Sequence, residues 1–197
     1  GVNGAGKSSI AGAKIRADGG DYFNPDEVTR SLMLNDSSMS LDEANSEAWK
    51  IGFEQLMKAI DNDEPYTFET TLGGSSIATQ LHRAIELGRK IRIFYWGVAS
   101  PELHIEGVAA RVARGGQDIT AEMIHARWKN STVNLVGLIS SCHAIVVFDN
   151  SSPADENGPN LVCLFSLIDG IFHSDPIKDM PEWGKPLAGA ALKRVLG

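Results

Sequence analysis

Apolar positions recur along this chain at two spacings, and the spacing separates helices from strands. The clearest helical stripe is Trp49, Phe53, Leu56 and Ile60, at intervals of four, three and four. It follows Ser40-Leu41-Asp42-Glu43, where Ser caps the first turn and Glu stands three residues later. A second stripe, Ile77, Leu81 and Ile85, predicts a helix over 75–88 that stops at Gly88. Further helices are predicted over 6–17, after Asn24-Pro25, from Ser100-Pro101-Glu102 to Arg114, over 120–140 and over 186–196. Continuous apolar runs at 91–98, 142–149 and 161–170 read as strands, and 22–23 and 66–71 as shorter ones. The polar stretch 150–160 reads as a loop and the Pro-rich stretch 175–186 as a surface crossing. Strands alternating with helices predict an α/β fold, a mainly parallel sheet with helices on both faces.

Composition fits one domain over 1–197, with 43% hydrophobic and 22% charged residues. Lys and Arg number 18 against 25 Asp and Glu, a net charge of −7, which argues against a nucleic-acid partner. The longest unbroken aliphatic or aromatic runs, such as 144–148, fall far short of the ~20 residues a membrane helix needs. Two cysteines, Cys142 and Cys163, sit in apolar runs and read as buried side chains of a reducing, cytoplasmic protein. The five histidines show no metal-ligand spacing.

Gly1-Val2-Asn3-Gly4-Ala5-Gly6-Lys7-Ser8 matches G-x-x-x-x-G-K-[ST], with Ser9 following. Glycines let successive N–H groups curl toward phosphate oxygens, and the next helix turns its positive end to the same anion. Lys7 would reach the β- and γ-phosphates of ATP, and Ser8 would ligate Mg²⁺. Such a loop ordinarily follows a buried strand. None precedes Gly1 here, so the sequence reads as beginning one strand into its sheet. There is no guanine-reading N-K-x-D, which favours a small-molecule kinase over a GTPase.

Three further clusters suit phosphoryl transfer. In Asn24-Pro25-Asp26-Glu27, a carboxylate at a strand end can take a proton from a hydroxyl. The same acids also suit a helix's first turn. In Phe68-Glu69-Thr70-Thr71-Leu72-Gly73-Gly74, Glu69 can hold a hydroxyl or a metal-bound water at the ligand edge of a sheet. The competing reading is a turn whose Thr or Ser caps the next helix. Arg111, Arg114 and Arg127 flank Gly115-Gly116 and can neutralise a transferring phosphoryl group from a lid over about 108–130. They also read as a solvated helix face.

In this order, GVNGAGKSS, FNPDE, FETTLGG and RVARGGQDIT with the later ARW resemble the zeta-toxin-like P-loop kinases, whose relatives include proteins labelled predicted ATPases. The resemblance covers 1–150. It implies a P-loop nucleoside triphosphate hydrolase fold with a helical lid, dependence on ATP and Mg²⁺, and an antitoxin partner. It also implies transfer to a sugar hydroxyl of UDP-N-acetylglucosamine. By position, Gly1, Asn3, Gly4, Ala5, Gly6, Lys7, Ser8 and Ser9 would bind the nucleotide. Asp26 would be the general base, Glu69 and Thr71 would touch substrate, and Arg111, Arg114 and Arg127 would be the lid arginines. The chain departs from these relatives at Gln117, Thr120, Ala126 and Trp128, which bears on substrate contacts in the lid. Two alternatives stand beside this reading: an ATP-binding interaction module with little turnover, and a kinase for nucleic-acid ends or nucleotides.

Overall fold

A computed structural model describes residues 12–17, 20, 22–112, 119–153 and 160–197, with 13, 14, 110 and 111 as backbone only. Two compact units are present, one within Lys7–Thr70 and one built on Thr71–Gly197.

The first unit holds helices α1 (Ala13–Ala17), α2 (Pro25–Asn35) and α3 (Leu41–Asn62). Asn24 is extended and its side chain accepts from the Asp26 N–H, so α2 begins where its sequence predicts. Pro25 takes the first helical position, where its missing N–H costs nothing. At α3, Ser40 and Glu43 form the reciprocal box. The buried face of α3 differs from the expected stripe: it is Ala44, Ala48, Gly52, Leu56, Ala59 and Ile60. Trp49 is instead 49% exposed and stacks on Phe53 at 4.9 Å. The small residues decide this, because they let neighbours approach closely. A Cβ on Gly52 would lie 2.4 Å from the Phe23 ring.

The short strands predicted at 22–23 and 66–71 reduce to one parallel bridge, Phe23 with Phe68. Its bonds run from Phe23 N–H to Thr67 O and from Glu69 N–H to Phe23 O, each 2.9 Å. Pro25 supplies no donor and already belongs to α2, so the pairing stops there.

The second unit runs α4 (Ser75–Glu86), β1 (Arg92–Gly97), α5 (Pro101–Val112), α6 (Ala121–Ile139), β2 (Ala144–Asp149), β3 (Val162–Ile168), β4 (Ile171–Ser174) and α7 (Lys185–Leu196). The strands lie in the order β1-β2-β3-β4. Only β1 and β2 are parallel; β2–β3 and β3–β4 are antiparallel. The described sheet is therefore mixed rather than mainly parallel. The β3–β4 reversal is made by Asp169-Gly170, with φ of 51° and 77°, the doubly left-handed turn of a two-residue hairpin. It reverses the run predicted as one strand over 161–170 and adds β4.

Tyr95, Ile145, Val147, Phe165 and Leu167 are buried on one face of this sheet. There the Tyr95 hydroxyl meets Ser131 Oγ of α6 at 3.0 Å, and burial pushes the Tyr95 phenol up. On the other face Phe94 and Ile171 are each 58% exposed while Trp96 is buried, so among the described residues that face is covered only in part. Cys163, expected to be buried, pairs with Phe148 on that face and is exposed.

The stretch 175–186 is more than a surface crossing, since Met180 and Trp183 are buried. The Trp183 indole N–H donates to Asp149 Oδ1 at 3.0 Å, and Asp149 also accepts from the Ser151 hydroxyl. The Trp183 ring fills the space where a Cβ on Gly97 would come within 2.2 Å. From α7, Arg194 donates to the carbonyls of Ile139 and Cys142, which satisfies acceptors left open at the end of α6. Among the described residues, no helix is long and apolar enough to cross a membrane.

Trp183→Ala is expected to lower the unfolding free energy by about 3–5 kcal/mol. Trp183→Phe, which keeps a ring and leaves Asp149 without this donor, should cost about 1–3 kcal/mol. Urea denaturation measures both, and equal losses would contradict the role given to the indole N–H.

The capping box makes a pH prediction. The Ser40 hydroxyl and N–H hold the Glu43 carboxyl below its ordinary value of 4.5. A lowered folded pKa means the contribution is complete above that value and is lost as pH falls through the folded one. The stability gap between the wild type and Ser40→Ala should therefore narrow on acidification below pH 4.5. A gap that widens would contradict the box.

Candidate active site

In the first unit the Phe23–Phe68 bridge sets two chain segments side by side and in parallel. Asn24 follows one paired residue and Glu69 the other, so Asn24-Pro25-Asp26 and Glu69 leave the bridge from the same end. Asn24 is buried and organises the turn. Its Oδ1 accepts from Asp26 N–H at 3.0 Å, and its Nδ2 reaches Tyr22 Oη at 3.3 Å and Glu27 Oε1 at 3.4 Å. Arg16 on α1 donates to Glu27 Oε2 and lies over the Tyr22 ring at 4.8 Å. Glu27 is held by Arg16 and Asn24, and Asp26 is exposed at the second position of α2. Beside them Tyr66 stacks on Phe68 at 5.3 Å and bonds to Gly52 O and Gln55 Oε1. Burial pushes the Tyr66 phenol up to about 12.

In the second unit the turn 71–74 packs against α6. Leu72 is buried and has a φ of 55°, a left-handed conformation that costs a non-glycine residue about 1–2 kcal/mol. Asn134 Nδ2 donates to Leu72 O at 2.9 Å and to Gly74 O at 3.1 Å. Two such bonds, each worth about 0.5–1.5 kcal/mol net, are enough to offset the strain. Gly73 N–H donates to Thr71 Oγ1 at 3.4 Å. A Cβ on Gly73 would lie 2.8 Å from Arg127 Cγ. Thr71 and Arg127, 56 positions apart by their numbers, thus meet across Gly73. The helix that follows, α4, has Gly74 as its cap and no side-chain cap bond, so the reading of Thr71 as a helix cap is not what is observed. Trp128 Nε1 donates to Val98 O beyond β1 at 3.4 Å. The predicted lid segments α5 and α6 pack together through Val108, Ile119 and Ile124.

The phosphate-loop positions Gly1, Asn3, Gly4, Ala5, Gly6, Lys7, Ser8 and Ser9 lie outside the described residues, as do Arg114 and Gly115-Gly116. Arg111 is placed by its backbone alone, in the last turn of α5. Sequence reasoning missed Arg16, Asn24 as the hub, and Asn134. Asn134 had a signal, because it follows Arg127 by seven residues and so shares its face of α6. Arg16 had none.

No family model matches the chain. A Haemophilus influenzae protein described as uncharacterized is 26% identical over 133 residues, which is 65% of this chain and 88% of that one. The crystal structure of AvrRxo1-ORF1:-ORF2 with ATP is similar at a TM-score of 0.68 and 18% identity, covering 94% of this chain and 62% of that one. This chain therefore spans under two thirds of that neighbour's length, and what the two share is a mixed α/β fold.

Proposed function

We propose that this chain is an ATP-dependent kinase of the zeta-toxin-like P-loop kind. It would transfer the γ-phosphoryl group to a hydroxyl of a small molecule, with nucleotide sugars such as UDP-N-acetylglucosamine as the acceptor class. One observation carries the reading: 94% of the chain follows the fold of a protein solved with ATP. The phosphate-loop sequence at Gly1 to Ser8 supports it independently.

In this mechanism Lys7 and the loop N–H groups bind the phosphates, and Ser8 offers a hydroxyl to Mg²⁺. Such a donor set fits that ion, which is held largely by substrate phosphates and water. Bound there, Mg²⁺ supplies charge neutralisation on the phosphate oxygens. The acceptor hydroxyl oxygen forms the new bond to the γ-phosphorus, the bond from that phosphorus to the β–γ bridging oxygen breaks, and ADP leaves. Asp26 takes the hydroxyl proton. Glu69 and Thr71 orient the acceptor, and Arg127, with Arg111 and Arg114, meets the charge on the phosphoryl oxygens. A protein partner of the antitoxin kind belongs to the same reading, supported by the neighbour's having been solved as ORF1 with ORF2.

Incubation with ATP, Mg²⁺ and UDP-N-acetylglucosamine, followed by mass spectrometry, should show a nucleotide sugar carrying one more phosphoryl group. Asp26→Asn should slow that transfer by about 10²–10⁴ and leave ATP binding intact. Bound ATP with no phosphorylated product from this sugar or from a metabolite extract would defeat the kinase reading and favour a nucleotide-binding module.

A further inference from the structure

The turn 71–74 holds a bulky residue in a conformation that glycine favours, and it does so where two proposed substrate-facing residues meet. Backbone strain of this sort persists only where the surroundings over-determine it, and it collects at sites that need fixed geometry. Here the surroundings are specific. One amide group, Asn134 Nδ2, spans the carbonyls on either side of Gly73, at 2.9 Å to Leu72 O and 3.1 Å to Gly74 O. One helical repeat earlier on the same face of α6, the Arg127 side chain lies against the Gly73 backbone, with Cγ and Cβ 2.8 and 3.0 Å from where a Cβ would stand. The Gly73 N–H in turn holds Thr71 Oγ1. Thr71, Gly73 and Arg127 thus form a short chain of contacts whose geometry depends on the turn keeping its left-handed form.

We infer that Asn134 is a positioning residue for phosphoryl transfer. By bridging the two carbonyls it holds Leu72 left-handed, and so keeps the Thr71 hydroxyl and the Arg127 side chain in one fixed arrangement. Asn134 itself touches neither phosphate nor acceptor in this scheme. Its amide is committed to the turn, and its effect passes through Thr71 and Arg127. The role given to those two rests on the kinase reading above. The role of Asn134 in holding the turn rests on the hydrogen bonds alone.

The test has two arms. Asn134→Leu keeps approximate size and removes both donors. Amide exchange of the peptide covering 71–74 should quicken roughly tenfold, the worth of two ordinary hydrogen bonds in water, while the urea midpoint of the whole protein stays near wild type. In the transfer assay with UDP-N-acetylglucosamine, kcat should fall roughly ten- to a hundredfold with ATP affinity unchanged, the signature of misplaced reacting groups. Asn134→Gln, which retains an amide donor, should recover part of both. Gly73→Ala approaches from the other side: its Cβ presses on Arg127, so it should reproduce the kinetic loss without the exchange gain.

Unchanged exchange in Asn134→Leu would overturn the inference whatever the enzyme does. A wild-type rate, or a loss of ATP affinity in step with kcat, would overturn the positioning role. If the wild type transfers nothing, the kinase reading and the positioning role fall together, and quickened exchange would then leave Asn134 as a purely structural clamp.

Discussion

Two backbone hydrogen bonds between 22–24 and 67–69 carry the geometry of the candidate site. Phe23 donates to Thr67 and accepts from Glu69 in a short parallel contact. Its consequences are large for its size. It brings the entry to α2, with Asp26 at the second helical position, beside the segment ending in Glu69. It also requires α3 to yield space: the Phe23 ring lies where Gly52 has no side chain. The absence of a side chain at Gly52 is thereby explained.

Much of the fold was legible wherever local chemistry decides it. The cap at Ser40, the helix start at Asn24-Pro25, the stop at Gly88 and the apolar runs of β1 and β2 follow from rules that act within a few residues. What was not legible depends on partners distant in sequence. The buried face of α3 is built from alanine and glycine, whose weak hydropathy is outweighed by Trp49 and Phe53 in any count of spacing. Trp183 lies in a polar, Pro-rich stretch and is buried because Gly97 and Asp149 receive it. The hairpin had a local signal in Asp169-Gly170, but the continuous apolar run before it hid the reversal.

The candidate site shows the same division. Asp26 and Glu69 in the first unit, and Thr71 and Arg127 in the second, are proposed from residue type and order, while the residues that surround each pair carry no such signature. Arg16 and Asn24 hold Glu27 at the entry to α2. Asn134 fixes a turn whose strain would otherwise let Thr71 and Arg127 drift. In phosphoryl transfer the protein contributes position and charge more than covalent chemistry, so such supporting residues matter as much as those that touch substrate.

The central claim is that the bridge at Phe23 and Phe68 makes Asp26 and Glu69 act on one acceptor. A double-mutant cycle of Asp26→Asn and Glu69→Gln on kcat/KM for phosphoryl transfer tests it most directly. The account predicts strong non-additivity, with the double variant little worse than Asp26→Asn alone. Losses that simply add would contradict it, because they would place the two carboxylates on separate tasks.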